Sequence, residues 1–397
     1  MKSDTPFPNY DQCLVNFSNS ILKKFGAQTT AKTLPMADEV LEKDYKNVVV
    51  ILLDALGISI LEDHLRSDGF FRSHLKGEYD SVYPPTTVAA TTAFMSGLYP
   101  NESGWIGWDC YFPQVDKNVV YFTNMEQETE DPNDKNNVNN YTPAADYNVA
   151  YTYCPYKNII DKINEAGSKA YFSMPFMDPF PQDIDSILKR VKDLCEEPEK
   201  KFIYAYWNEP DSTMHRKRTD SKESHEVIVE LEKKVEELAS ELTDTLLIVT
   251  ADHGHINNVN HCILDYPEIL KCLKVKPSIE PRTLNLFVKD EYKEEFPIIF
   301  EKEFGDKFWL LTKEEVFEKK VFGIGKDHKD LDGMVGDFLA IATGDESIFN
   351  IHLAAELMPG AHAGLTTEEI KIPFIVIERC SSSSDQSSHN CGCLFLK

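Results

Sequence analysis

Three short apolar runs, residues 48–53, 202–207 and 246–250, are each followed within a few residues by an aspartate: Asp54, Asp211 and Asp252. The runs are rich in β-branched and aromatic residues and show no polar alternation, which predicts strands buried on both faces of a parallel sheet. Such a sheet needs helices on both sides. In open α/β sheets the ligand crevice lies beyond the carboxyl ends of the strands, which is where all three aspartates fall. Carboxylates gathered there repel one another, and a bound cation offsets that repulsion.

The rest of the chain fits an α/β fold with a mainly parallel central sheet flanked by helices on both faces. Further strands are expected at 169–174, 337–343 and 372–377. Residues 222–242 predict an amphipathic helix, with Val227, Leu231, Val235, Leu238 and Leu242 on one face. Residues 115–147 are rich in Asn, Asp and Glu and read as a surface excursion, a lid or rim. A strand at 283–288, a helix at 291–304 and a strand at 308–312 predict a small α/β insertion around 278–322. With 397 residues, 42% of them hydrophobic, the chain can form one catalytic domain over 1–379. Residues 380–397, with four serines after Cys380, read as a disordered tail.

The formal net charge of −25 argues against nucleic acid polymers and anionic membranes, which need clustered Lys and Arg. No apolar run approaches the ~20 residues of a membrane helix, and the start Met1-Lys2-Ser3-Asp4-Thr5-Pro6 has no signal-peptide core. Nine cysteines, an odd number, fit reduced thiols, and with the preceding points suggest a cytoplasmic protein.

Two segments carry metal-binding residue types at strand ends. In Glu209-Pro210-Asp211-Ser212-Thr213-Met214-His215 the aspartate and histidine stand four apart, which puts both on one helix face. A lone occurrence of that spacing is usually a solvated surface pair. Thr250-Ala251-Asp252-His253-Gly254-His255 supplies a second carboxylate and imidazole pair, and with Asp54 there are enough N and O donors for a two-metal centre. His255 and His261 flank this motif and read as supporting or surface residues. His389-Asn390-Cys391-Gly392-Cys393 is a weak candidate for a soft metal. Tyr83-Pro84-Pro85-Thr86-Thr87-Val88-Ala89-Ala90 leads into a helix that Gly97 stops, placing Thr86 or Thr87 at its N-terminus. A hydroxyl there could be a nucleophile or a plain helix cap, and spacing does not choose between them.

The succession Leu53-Asp54-Ala55-Leu56-Gly57, Pro84 to Gly97 with Leu98-Tyr99-Pro100, Asp211-x-x-x-His215, Ala251-Asp252-His253-Gly254 and Gly360-Ala361-His362-Ala363-Gly364 resembles the alkaline phosphatase superfamily. The branch it resembles is the type I phosphodiesterase/nucleotide pyrophosphatase group. The resemblance implies two divalent metal ions, zinc by expectation. It implies one ion held by Asp211, His215 and His362, and the other by Asp54, Asp252, His253 and the oxygen of Thr87. It also implies Thr87 as nucleophile, a phospho-threonine intermediate, and release by a water activated where Thr87 departs. The implied substrate is a small-molecule phosphoester with a phosphodiester or pyrophosphate bond.

One position departs from that branch: Ala90 stands where an Asn three residues after the nucleophile usually binds a phosphate oxygen. Helix N–H groups or Asn208 could substitute, or the substrate could differ. Trp105, Trp108, Tyr111 and Trp207 stand near the motifs without an assigned role. A phosphomonoesterase or phosphonate hydrolase of the same superfamily, and a catalytically silent metal-binding protein, are the alternatives. Thr87 disfavours a sulfatase, which needs Cys or Ser, and a mutase-like Ser pattern.

Overall fold

The central sheet contains strands β1 (Asn47–Leu53), β2 (Leu75–Asp80), β3 (Lys169–Ser173), β4 (Lys201–Trp207), β5 (Thr245–Thr250) and β6 (Lys371–Arg379) in the order β2-β6-β5-β1-β4-β3. This computed structural model describes residues 7–380. The expectations for the N-terminal start, for the tail beyond Cys380 and for the His389 to Cys393 motif lie outside the described residues. Strand β1 pairs in parallel with β4 and β5, and β4 with β3, while β6 runs antiparallel to β5 and β2. Every residue of β1 and β5 is buried, as two covered faces require.

Helices α1 (Leu14–Lys24), α2 (Thr87–Ser96) and α3 (Ile159–Glu165) pack together. Helices α4 (Ile184–Glu196), α5 (Asp211–Lys217) and α6 (Lys222–Glu241) form a second group. Helix α6 buries Ile228, Leu231, Val235 and Leu238 along one stripe, and the Ser221 side chain caps its first turn by accepting from Ser224 N–H. Among the described residues no helix is long and apolar enough to cross a membrane. Cys13, Cys110, Cys154, Cys195, Cys262 and Cys272 are buried thiols.

A second six-stranded sheet, antiparallel throughout, runs in the order Phe308–Thr312, Phe338–Ala342, Thr283–Leu286, Ser278–Glu280, Asp109–Phe112, Lys117–Val120. Residues 278–322 thus share their sheet with strands from two other parts of the chain. The expected excursion at 115–147 is more structured than its composition suggested. Its first strand buries Asn118 and Val119, and Thr129–Asp131 pairs with Asp134–Asn139 as an exposed hairpin. The helix expected over 291–304 is a 3₁₀ turn at Asp290–Tyr292 followed by Phe296–Phe304, because Pro297 suits only a first turn.

Candidate functional site

Register brings the three aspartates together. Leu53 at the end of β1 lies beside Trp207 of β4, and Leu52 beside Thr250 of β5, so the strands stop at one edge. Asp54 N–H donates to the Trp207 carbonyl at 3.0 Å, Asp211 N–H to the Asp54 carbonyl at 3.2 Å, and Ala55 N–H to Asp252 Oδ1 at 3.1 Å. Ala55 and Ala363, which follow Asp54 and His362, have φ of +62° and +82°. Non-glycine residues in this left-handed region are strained, and such strain gathers at functional sites.

Three overlapping groups of donor atoms lie within 4.8 Å of one another: Asp54, Asp252 and His253; Asp211, His253 and His362; and Asp211, His215 and His255. Asp211 Oδ1 is the hub, at 3.3 Å from His215 Nε2, 3.5 Å from His255 Nε2 and 3.7 Å from His362 Nε2. Each imidazole is oriented by a backbone carbonyl that accepts from its Nδ1. The acceptors are Gly360 for His215 (2.8 Å), Gly254 for His253 (2.9 Å), Ile256 for His255 (3.2 Å) and Pro85 for His362 (3.1 Å). Because a carbonyl only accepts, the Nδ1 atoms carry the protons and the Nε2 lone pairs face the site, the arrangement a metal needs.

The electrostatics favour a cation. Burial raises the Asp54 carboxyl well above its ordinary range with Asp252 adding to the shift, raises Asp211 likewise, and pushes Asp252 to about 7. Burial also lowers all four histidines, His215 to about 4. Neither sign of charge is comfortable there without a partner. Asp211 Oδ1, Asp252 Oδ2 and His255 Nε2 are buried and find no hydrogen-bond partner among the described residues. Orphaned oxygens and an orphaned imidazole within these donor groups fit divalent ions.

Thr86 and Thr87, inseparable by spacing, point different ways. Thr86 precedes α2 in extended conformation, and its hydroxyl donates to Glu280 Oε1 at 2.5 Å. Thr87 opens the helix with Oγ1 at 3.3 Å from Asp54 Oδ2 and 3.2 Å from His253 Nε2. Gly97 ends α2 at φ +69°. Beyond Glu280 opens a cleft of about 210 Å³ lined in part by Trp108, Met125, Glu280, Ile348 and Phe349.

All seven residues expected at the site, Asp54, Thr87, Asp211, His215, Asp252, His253 and His362, converge on this edge. Sequence reasoning passed over His255, which joins Asp211 and His215, and Tyr206, whose hydroxyl donates to Asp54 Oδ2. His255 was visible as the fourth residue of Asp252-His253-Gly254-His255; nothing in the sequence signalled Tyr206. His261 lies elsewhere, bonded to Glu346 and Tyr266. Ala90 is buried in α2, and the Asn208 amide donates to Ser212 Oγ at 3.1 Å. Trp105 is core, stacked on Tyr121, whereas Trp108 is half exposed.

Solved structures share this architecture. Murine ectonucleotide pyrophosphatase/phosphodiesterase 5, as an inactive threonine-to-alanine variant in complex with AMP, aligns with a TM-score of 0.60 at 16% identity over 85% of this chain and 88% of that one. The human protein of the same name aligns at 0.59, with 15% identity over 84% and 87%. Phosphonoacetate hydrolase from Sinorhizobium meliloti 1021, in complex with phosphonoformate, aligns at 0.58, with 13% identity over 84% and 90%. At these identities the likeness is one of fold. No curated protein matches the sequence. The profile of the family described as type I phosphodiesterase / nucleotide pyrophosphatase matches residues 48–276, more than half of the chain. The chain therefore belongs to the type I phosphodiesterase/nucleotide pyrophosphatase family, whose members are hydrolases of phosphoester bonds.

Proposed function

We propose that this protein is a metal-dependent hydrolase of phosphodiester or pyrophosphate bonds in nucleotide-like small molecules, with Thr87 as nucleophile. The observation that carries the reading is Thr87 Oγ1, at the start of a helix and 3.2–3.3 Å from His253 and Asp54 inside a cluster of metal-ligating side chains. Asp211, His215 and His362 would hold one ion; Asp54, Asp252, His253 and Thr87 would hold the other. Two divalent ions so held would supply Lewis acidity, polarising phosphoryl oxygens and lowering the pKa of hydroxyls. The N and O donor set suits zinc.

The chain's own groups do the rest. Thr87 Oγ1 releases its proton to solvent and bonds to phosphorus as the P–O bond to the leaving group breaks; water then bonds to the phosphorus of the phospho-threonine, the Oγ1–P bond breaks, and Oγ1 regains a proton. The first-turn N–H groups of α2 have no partner within the helix and would be the donors to the phosphoryl oxygens. Ala90 contributes no donor to that task and Asn208 is engaged with Ser212, so the helix N–H groups bear more of it. The cleft beyond Glu280, whose carboxylate reaches the Thr86 hydroxyl, would be the place for the rest of the substrate. A neighbour solved with AMP supports nucleotide-like substrates. A second reading, phosphonate hydrolysis, draws support from the neighbour solved with phosphonoformate and from Ala90.

The test is side-by-side turnover of bis-p-nitrophenyl phosphate, p-nitrophenyl phosphate and phosphonoacetate by metal-stripped protein resupplied with zinc. Diester preference supports the main reading and phosphonoacetate turnover the second, while preference for the monoester moves the enzyme toward phosphatases. Thr87→Ala is expected to lose activity by about 10³-fold or more, as nucleophile removal does, with its metal content retained. Undiminished activity in that variant sinks the assignment.

A further inference from the structure

Four imidazoles surround the site, and the ligand sets above use three of them. We propose that His255 is a fourth protein ligand of the ion held by Asp211, His215 and His362, an inference that rests on the reading of the cluster as a metal site. Its Nε2 is 3.5 Å from Asp211 Oδ1, and its donor atom groups with those of Asp211 and His215 within 4.8 Å. The side chain is 2% exposed, and Nε2 has no hydrogen-bond partner among the described residues.

Orientation separates ligation from a mere supporting contact. His255 Nδ1 donates to the Ile256 carbonyl at 3.2 Å, so the neutral ring turns the Nε2 lone pair toward Asp211. A lone pair facing a carboxylate oxygen is repulsive, and a cation between them reverses the sign. A protonated Nε2 would instead donate to Asp211, yet no hydrogen bond joins them. The ring lies close to Gly360, where an added Cβ would meet His255 Cε1 at 2.8 Å.

The two ion positions then differ in chemistry. Asp211 with three imidazoles presents one negative charge and three nitrogens, whereas Asp54, Asp252, His253 and Thr87 present two carboxylates and one nitrogen. Nitrogen-rich sites favour zinc and cobalt over magnesium and manganese. The Asp211 position is therefore the one expected to keep its transition-metal ion when the other is emptied.

The experiment loads metal-free wild type, His255→Ala and His255→Gln with cobalt(II). It reads the d–d absorption band and the ions retained against a chelator, and far-ultraviolet circular dichroism verifies the metal-free fold. Glutamine keeps the volume and could still donate a hydrogen bond to Asp211, so it decides the question if the alanine variant fails to fold. Both variants are expected to change the band and to weaken one of the two ions by more than the ~10–100-fold typical of residues that only orient a ligand. A wild-type band and retention in both variants overturns the proposal, as does restoration by glutamine alone, which marks a positioning residue. Wild type that binds no cobalt overturns the metal reading itself, a distinct result.

Discussion

Glu280 shows how one side chain ties the second sheet to the candidate nucleophile. Its Oε1 accepts from the Thr86 hydroxyl at 2.5 Å and from Trp108 N–H at 3.1 Å. Burial pushes its carboxyl up to about 8, with Asp109 adding to the shift against the opposing hydrogen bonds. The unfolded chain releases this proton near pH 4.3, so between there and about 8 the native state binds more protons and stability falls as pH rises. Glutamine at 280 does not titrate. In urea unfolding of metal-free protein, the stability of wild type relative to Glu280→Gln is expected to decline from about pH 4.5 to about pH 8.5. Asp54 and Asp252 titrate in both proteins and cancel in that difference, whereas Asp211 also feels the Glu280 charge, which adds to the same pH-dependent difference. A difference independent of pH would show that Glu280 is ionised throughout. Of the site residues, those at the ends of uniformly apolar strands were legible in the sequence, because burial on both faces leaves few alternatives. Tyr206 was not, since an aromatic in a buried strand reads as core whichever way its hydroxyl points. His255 was seen but passed over, because its partner Asp211 comes from another strand end.

The element that positions Asp252 and His253 is the turn after β5, and its geometry depends on the absence of a side chain at 254. A Cβ on Gly254 would lie 1.9 Å from the Glu368 carbonyl oxygen, and one on Gly57 would lie 2.6 Å from Gly254 Cα. Three backbone segments therefore meet where only glycine fits, an approach that also lets Gly254 N–H donate to the Glu369 carbonyl at 2.8 Å. Gly254→Ala is expected to destabilise by at least the ~1–3 kcal/mol of an overpacked core and to lower metal retention, because the turn carries two of the ligands. Gly344→Ala, with nothing within 4 Å of its added Cβ, is the control. Equal urea midpoints and metal contents for the two variants would refute the close-packing argument. Elements of this kind divide sharply in how well sequence reveals them. The parallel core and α6 follow from periodicity, but β2, Leu-Lys-Gly-Glu-Tyr-Asp, carries charges and is half open along most of its length, so it gives no apolar signal. The second sheet escaped for another reason: its strands come from residues 109–120, 278–286 and 308–342, and local patterns cannot show which distant segments pair.

At the scale of the whole molecule the question is whether the two sheets unfold as one. The second sheet sorts its residues by alternation: Leu339 and Ile341 join the core of the central sheet, while Phe338, Ala340 and Ala342 join a separate cluster with Phe296, Phe300 and Phe304. One face of that sheet is thus continuous with the catalytic core. Arg282 strengthens the union. Fully buried, it donates from Nε to Glu369 Oε1 at 2.7 Å and from Nη2 to Glu369 Oε2 at 2.9 Å, and Glu369 Oε1 in turn accepts from Gly364 N–H beside His362. We propose that residues 1–379 act as one catalytic domain on this basis. Trp207 ends β4 of the central sheet and Trp309 lies in the second sheet, so variants retaining one or the other tryptophan report each sheet separately. Their urea transitions are expected to coincide, as cooperative unfolding of a single unit requires. Arg282→Ala, which leaves Glu369 as an uncompensated buried charge, is expected to cost about 3–5 kcal/mol and to shift both transitions together. Were the Trp309 transition alone to move, the second sheet would be an independent unit and the bridge a local contact.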